Sequence, residues 1–146
     1  MDDTARLIAI EEIKRLKARY FYYLDHQDWE GWRREVWAPD ASLLVPDKQP
    51  EPIEGVDAII AWVAPLADGQ LSVHHGHMPD IEILSETSAK GVWAMEDILF
   101  KPPELAARLG YSFLHGYGHY HETYLKLATG WRIRTTHLTR LKLEVR

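Results

Sequence analysis

No cysteine occurs anywhere in the 146 residues. Disulfides, thiolate metal sites and cysteine nucleophiles are therefore excluded, and a reducing compartment costs the chain nothing. No basic stripe is present either: 17 Lys and Arg are interspersed among 22 Asp and Glu, for a net charge of −5. Binding to nucleic-acid phosphates is not expected of such a surface. Long apolar runs are missing as well. The opening stretch "MDDTARLIAIEEIKRLK" is charged throughout, so neither a signal peptide nor a membrane span is expected, and the cytoplasm is the expected location.

What is present is ordinary in bulk. Hydrophobic residues make up 46% and charged residues 27%, which is globular usage, and the length suits one domain over 1–146 with a core of its own. Two details stand out. Six tryptophans and seven tyrosines are more than a minimal core needs and suggest an aromatic-walled pocket. Three of the eight histidines fall at positions 74, 75 and 77, in "HHGHMPDI". Because imidazole changes charge near neutrality and ligates metals, the cluster could be a general base with neighbours, a metal site or a turn.

Apolar residues at Leu7, Ile10, Ile13, Leu16, Tyr20 and Leu24 recur every three or four positions, so a helix is expected from Thr4 to about Asp25. Asp28 is a plausible N-cap for a short second helix through Trp29, Trp32 and Val36 that Pro39 stops. "ASLLVPD" reads as a strand, "KQPEPIEG" as a polar loop, and "VDAIIAWVAPL" as a third helix. The second half changes period. A hairpin is expected over "MPDIEILSETSAKGVWAMEDILF", turning at Glu86 to Lys90, followed by two long strands joined at Thr129 and Gly130. Along the first of these strands, Tyr117, His119, His121 and Thr123 share a face. Trp131, Ile133 and Thr135 alternate with Arg132 and Arg134 on the second. Lys101 to Gly110 is expected to be an insertion loop whose "ELAARL" adds a helical turn. Helices followed by a strand meander imply an α+β fold: three N-terminal helices packed on a strongly curved antiparallel sheet that encloses a pocket.

This order of elements resembles the cone-shaped, nuclear transport factor 2-like superfamily that includes the SnoaL-like proteins, ketosteroid isomerase and scytalone dehydratase. The chain is most similar to its bile-acid 7α-dehydratase and scytalone dehydratase branch, through "IEEIKRLKARYFYYLD", "HHGHMPDI", "GVWAMEDILF" and "GWRIRTTHLTRLKLEV". The resemblance implies a catalytic set of Tyr20, Asp25 and His74. It also implies that Asp97 in "WAMEDIL" and Arg140 in "HLTRLKL" contact substrate. Trp93, His119 and His121 are expected to line the same pocket. The loop between Phe100 and Tyr111 departs from the family pattern, which leaves the substrate open.

The chemistry can be argued from the residue types. Removing water from a β-hydroxy carbonyl compound takes a base for the proton beside the carbonyl, an acid for the departing hydroxyl and donors for the enolate-like oxygen. His74 held by Asp25 is a competent base, and a buried Tyr20 can donate without bringing charge into an apolar pocket. On an ideal helix, however, Tyr20 and Asp25 are about 140° apart, so the pocket would have to wrap the helix end. A metal set of His74, His119 and His121 is the alternative, but "HYHE" lacks zincin spacing, and no metal or other cofactor is expected. His75 and His77 are expected to be structural neighbours. The expected activity is thus a cofactor-independent dehydratase or isomerase acting on a small hydrophobic or aromatic ligand, a cyclic hydroxy-carbonyl compound. The alternatives are a noncatalytic small-molecule-binding protein, or an assembly subunit like the β subunit of a ring-hydroxylating dioxygenase. An outer sheet face of this kind is expected to pair into a homodimer or homotrimer.

Overall fold

The computed structural model describes residues 1–146. Helix α1 (Asp3–His26) starts where the Asp2 side chain accepts the Ala5 N–H at 2.7 Å, an N-cap bond. Its buried stripe is Ala9, Ile13, Leu16, Lys17, Tyr20 and Leu24. The expected Leu7 is instead exposed. Ile13 and Leu16 are fully buried, each contributing about 1.5–3 kcal/mol of burial. Asp28 caps α2 (Trp29–Glu35) by accepting the Gly31 N–H, as its residue type suggested. Helix α3 (Val56–Ala67) completes the N-terminal layer.

Six strands follow the order β2-β1-β6-β5-β4-β3: β1 (Trp37–Val45), β2 (Gln49–Glu54), β3 (Leu71–Ile83), β4 (Ser88–Phe100), β5 (Phe113–Leu127) and β6 (Gly130–Val145). The architecture is α+β, with helices packed on one face of an open sheet. Several expectations are corrected here. The sheet is mixed, because β1 runs parallel to β6. The "KQPEPIEG" loop contains β2, which tolerates Pro50 and Pro52 because an edge strand has an unpaired side. Pro39 lies in β1 rather than at a helix end, inside the register shift between Trp37 and Ser42, where no regular ladder bond is needed. Strand β3 begins at Leu71, so the histidine cluster sits in mid-strand rather than at its start. The hairpin turn comes earlier than expected, since β4 already starts at Ser88. "ELAARL" forms most of a helix, α4 (Pro103–Leu109).

Bulges determine which residues face the helices. Buried residues on β5 are Leu114, Gly116, Gly118, Tyr120, Glu122 and Tyr124, so the even positions face inward. On β6, Trp131 and Ile133 are buried, but inward parity then passes to Thr136 and Leu138 across the shift opposite Thr123 and Tyr124. Thr135 therefore leaves the face that strict alternation gives it. Beneath the sheet, Lys17 and Glu122 form a fully buried ion pair at 2.8 Å. Glu122 also accepts from Thr136 at 2.7 Å and Tyr124 at 2.8 Å, so its charge is not left bare.

Candidate active site

A cavity of about 120 Å³ opens between the three N-terminal helices and the inner face of the sheet. Tyr20 and Leu24 of α1, Trp32 of α2 and Trp62 of α3 form one wall, and His74, Asp97, Tyr120, Leu138 and Arg140 the other.

His74 reaches the cavity because β3 packs across the C-terminal end of α1 and places that residue beside Asp25. The Asp25 carboxylate accepts three hydrogen bonds. His74 Nδ1 lies 2.6 Å from Oδ1, the His74 backbone N–H donates to Oδ2 at 3.0 Å, and the Ser72 hydroxyl donates to Oδ1 at 2.8 Å. A carboxylate in the last turn of a helix faces the negative end of the helix dipole, and burial further penalises its charge. The donors from His74 and Ser72 outweigh both and hold the Asp25 carboxyl below its ordinary value. With Nδ1–H donating to Asp25, Nε2 is the unprotonated ring nitrogen of the neutral imidazole, and no protein group hydrogen-bonds to it. Asp25 itself does not line the cavity. The angular separation of Tyr20 and Asp25 on α1 is thus resolved by His74, which brings the influence of the carboxylate inward.

Asp97 is the cross-strand partner of His74. It accepts a two-pronged bond from Arg140, Nη1 to Oδ1 at 2.9 Å and Nη2 to Oδ2 at 3.1 Å, and Arg140 Nε donates to Asp47 at 2.9 Å. Burial works against the Arg140 charge, but the two carboxylates more than offset it and keep the guanidinium firmly protonated. Gly116 makes the room, since a Cβ there would overlap both the Arg140 guanidinium and the Asp97 carboxylate.

Tyr20 and Tyr120 meet edge-on across the cavity, ring centres 6.0 Å apart. Neither hydroxyl is spent on a protein partner. Burial raises both phenols above their ordinary value, aided for Tyr20 by the negative charges of Glu122, Asp97 and Asp25, so both remain hydrogen-bond donors. The Lys17 ammonium lies 3.8 Å from the Tyr20 ring centre and 3.7 Å from that of Tyr120, a cation–π sandwich beneath the two phenols. At the rim, half-buried Lys101 donates to Gln70 at 2.5 Å. Its pKa is pushed down to about 8 by burial and by the neighbouring Lys48 charge.

The structure thus brings together Tyr20, His74, Asp97 and Arg140 on the cavity wall, with Asp25 behind His74. It separates the other three expected lining residues. Trp93 faces inward but lies in the core, where its Nε1–H donates to the Tyr124 hydroxyl at 2.9 Å. His119 and His121 project from the outer face, because even positions of β5 are the buried ones. His121 bonds Thr139 Oγ1 at 3.0 Å and lines a separate polar groove. The metal set of His74, His119 and His121 is divided between two faces of the sheet. Tyr120, Lys48 and Lys101 were not anticipated. The signal for Tyr120 was the "GYGHY" run, in which Gly116 and Gly118 share its inward parity, the first admitting the Arg140 and Asp97 side chains and the second the close approach of the Thr139 backbone.

No helix is long and apolar enough to cross a membrane. The family described as SnoaL-like domain matches residues 5–137. Among solved structures, the Kfla4162 protein from Kribbella flavida superposes with a TM-score of 0.86 at 18% identity, over 95% of each chain. A candidate scytalone dehydratase from Novosphingobium aromaticivorans superposes at 0.83 and 19% identity, over 99% of this chain and 92% of that one. Hexachlorocyclohexane dehydrochlorinase LinA-type3 from Novosphingobium barchaimii superposes at 0.79 and 15% identity, over 99% and 94%. At these identities the likeness is one of fold.

Proposed function

The chain belongs to the SnoaL-like domain family, and from that premise we propose that it is a cofactor-independent lyase of the dehydratase type, with His74 as the acid–base residue. The observation that carries the reading is the Asp25–His74 pair at 2.6 Å on the wall of a largely apolar cavity. The candidate scytalone dehydratase and the dehydrochlorinase among its structural neighbours are both named for eliminations, which supports the reaction class.

In the proposed reaction a cyclic β-hydroxy ketone lies with its carbonyl oxygen between the Tyr20 and Tyr120 hydroxyls. His74 Nε2 takes the proton from the carbon between carbonyl and carbinol. The electron pair moves onto the carbonyl oxygen, where the two phenols stabilise it. As the enolate returns its electrons to form the C=C bond, the C–O bond breaks and the imidazolium gives its proton to the departing hydroxyl. One enone and one water leave, and His74 is neutral again. Asp25 fixes the tautomer and stabilises the transient imidazolium, while Arg140 anchors Asp97 beside the reacting edge. A cavity of about 120 Å³ is small beside ordinary ligand sites of several hundred Å³. It suits the reacting ring of a hydrophobic substrate whose remainder passes the Lys48 and Lys101 rim. Isomerisation would use the same proton abstraction on a β,γ-unsaturated ketone, where no group leaves and the imidazolium returns the proton to the γ carbon.

The second reading is a noncatalytic carrier of the same ligands, for which the two unspent phenols would simply orient a carbonyl. We further propose a homodimer or homotrimer, on the exposed Leu141, Leu143 and Val145 of β6, and a cytoplasmic location for a chain without cysteine. The test of function is a panel of cyclic β-hydroxy ketones, including hydroxytetralones and steroid and polyketide ketols, followed by enone absorbance. Enone formation that survives chelation and is lost in His74→Asn supports the lyase. Ligands that bind and are never converted support the carrier.

A further inference from the structure

The pleat divides the histidine cluster. His74 turns into the cavity, while His75 and His77 project from the opposite face of β3, where Glu96 of β4 is the cross-strand partner of His75. We propose that His75, His77 and Glu96 form a binding site for one divalent transition-metal ion, zinc above all, on the outer face of the sheet. The inference is independent of the cavity chemistry.

The geometry points to an ion in several ways. Ligand atoms of the three side chains already lie within 4.8 Å of one another. Around a tetrahedral zinc at ~2.1 Å, neighbouring donors are roughly 3.4 Å apart. Exposed imidazoles close that difference by small rotations. Two imidazoles and one carboxylate, with no thiolate, form a donor set that suits zinc and leaves a fourth position open. The i, i+2 spacing on one strand with the third donor opposite brings all three to one patch without any loop.

Glu96 is also held as a metal-ligating carboxylate usually is. Its Oε1 faces His75 Nδ1 at 3.6 Å, while Oε2 is bonded to His115 Nε2 at 2.7 Å. The Tyr117 hydroxyl lies 3.3 Å from His115 Nδ1 and orients that ring in turn. Such outer partners fix a ligand and tune its basicity. Space is provided as well, since His77 stands opposite Ala94, whose methyl leaves the imidazole free to lean toward Glu96.

The backbone beside His77 is in a strained conformation. Met78 takes φ 40°, one of two non-glycine residues with positive φ, at the bulge between His77 and Asp80, and its own side chain is 92% exposed. Bulges re-aim side chains, and strain of this kind gathers at binding sites. Because β3 is an edge strand, an ion shared by His75, His77 and Glu96 would tie it to β4 and steady the strand that carries His74.

The test is calorimetric titration of the full chain, stripped by chelator and free of any histidine tag, with zinc chloride. One ion per chain is expected at about micromolar Kd or better, together with a rise in Tm by mass action. His77→Ala and Glu96→Gln should each abolish or weaken binding by more than about tenfold, and His115→Phe by about tenfold through loss of the outer partner. His121→Ala, on the same face but outside the site, should change nothing. Failure to take up stoichiometric zinc below about 100 µM overturns the proposal. So does uptake that survives His77→Ala combined with Glu96→Gln, or that falls equally in His121→Ala. Glu96→Gln nearly preserves shape, so its result does not depend on tolerance of a larger change.

Discussion

One carboxylate, that of Asp25, holds His74 twice: Oδ1 lies 2.6 Å from the imidazole Nδ1 and Oδ2 accepts the same residue's backbone N–H at 3.0 Å. Ring orientation and strand position are therefore set by one group at the end of α1. A sheet residue acquires its tautomer from a helix residue 49 positions away.

Asp25→Asn should cost about 1–3 kcal/mol of stability at neutral pH, since an amide can accept only part of what the carboxylate accepts. The sign with pH follows from the direction of the shift. The folded carboxyl titrates below its unfolded value, near 3.9, so its contribution is complete above that value and is lost as pH falls through the lower, folded one. Urea unfolding of both proteins at pH 7 and pH 3 should show the gap between them narrowing in acid.

Tyr20→Phe and Tyr120→Phe each remove a hydroxyl that no protein group uses, so stability should change little. Turnover should fall by about 10²–10³-fold for whichever phenol meets the developing oxyanion. Steady-state kinetics on an enone-forming substrate separates them, with KM nearly constant if the donor acts in the transition state.

Lys17→Met leaves Glu122 buried without its cation and should destabilise by about 3–5 kcal/mol. Adding Glu122→Gln should recover much of that loss, because the uncompensated charge is then gone. Chemical denaturation of the single and double variants is the measurement, and non-additivity is the expected signature.

Lys101 has the same pH sign as Asp25, in an alkaline rather than an acid window. Its pKa is held down to about 8 in the folded protein, against about 10.4 unfolded. Between these values the unfolded chain binds more protons, so this group makes stability rise with pH. Relative to Lys101→Met, the native protein should gain stability from pH 8 to pH 10 in thermal melts. An unchanged difference over that range would place Lys101 in ordinary solvent.

The helix layer was legible because α1 and α3 show clear apolar spacing and Asp28 is a strong capping residue. Tyr20 and Asp25 were legible through the family resemblance, as was the pairing of Asp25 with His74. The inner face of β5 was not. Alternation separates Tyr120, Glu122 and Tyr124 from His119, His121 and Thr123 but does not say which set meets the helices, and both sets mix polar and aromatic residues. The Lys17–Glu122 pair spans 105 positions, and nothing local to either residue announces it. Thr135 was misplaced because a bulge is a property of two strands together.

The most direct test of the proposed chemistry is turnover and ligand affinity measured side by side for the native protein, His74→Ala and Asp25→Asn on one substrate of the panel. The expected result is loss of turnover by about 10³–10⁴-fold in both variants, with affinity within about threefold of native. Variants that lose affinity while any conversion persists at the native rate would contradict an acid–base role for His74 and leave the cavity to a carrier.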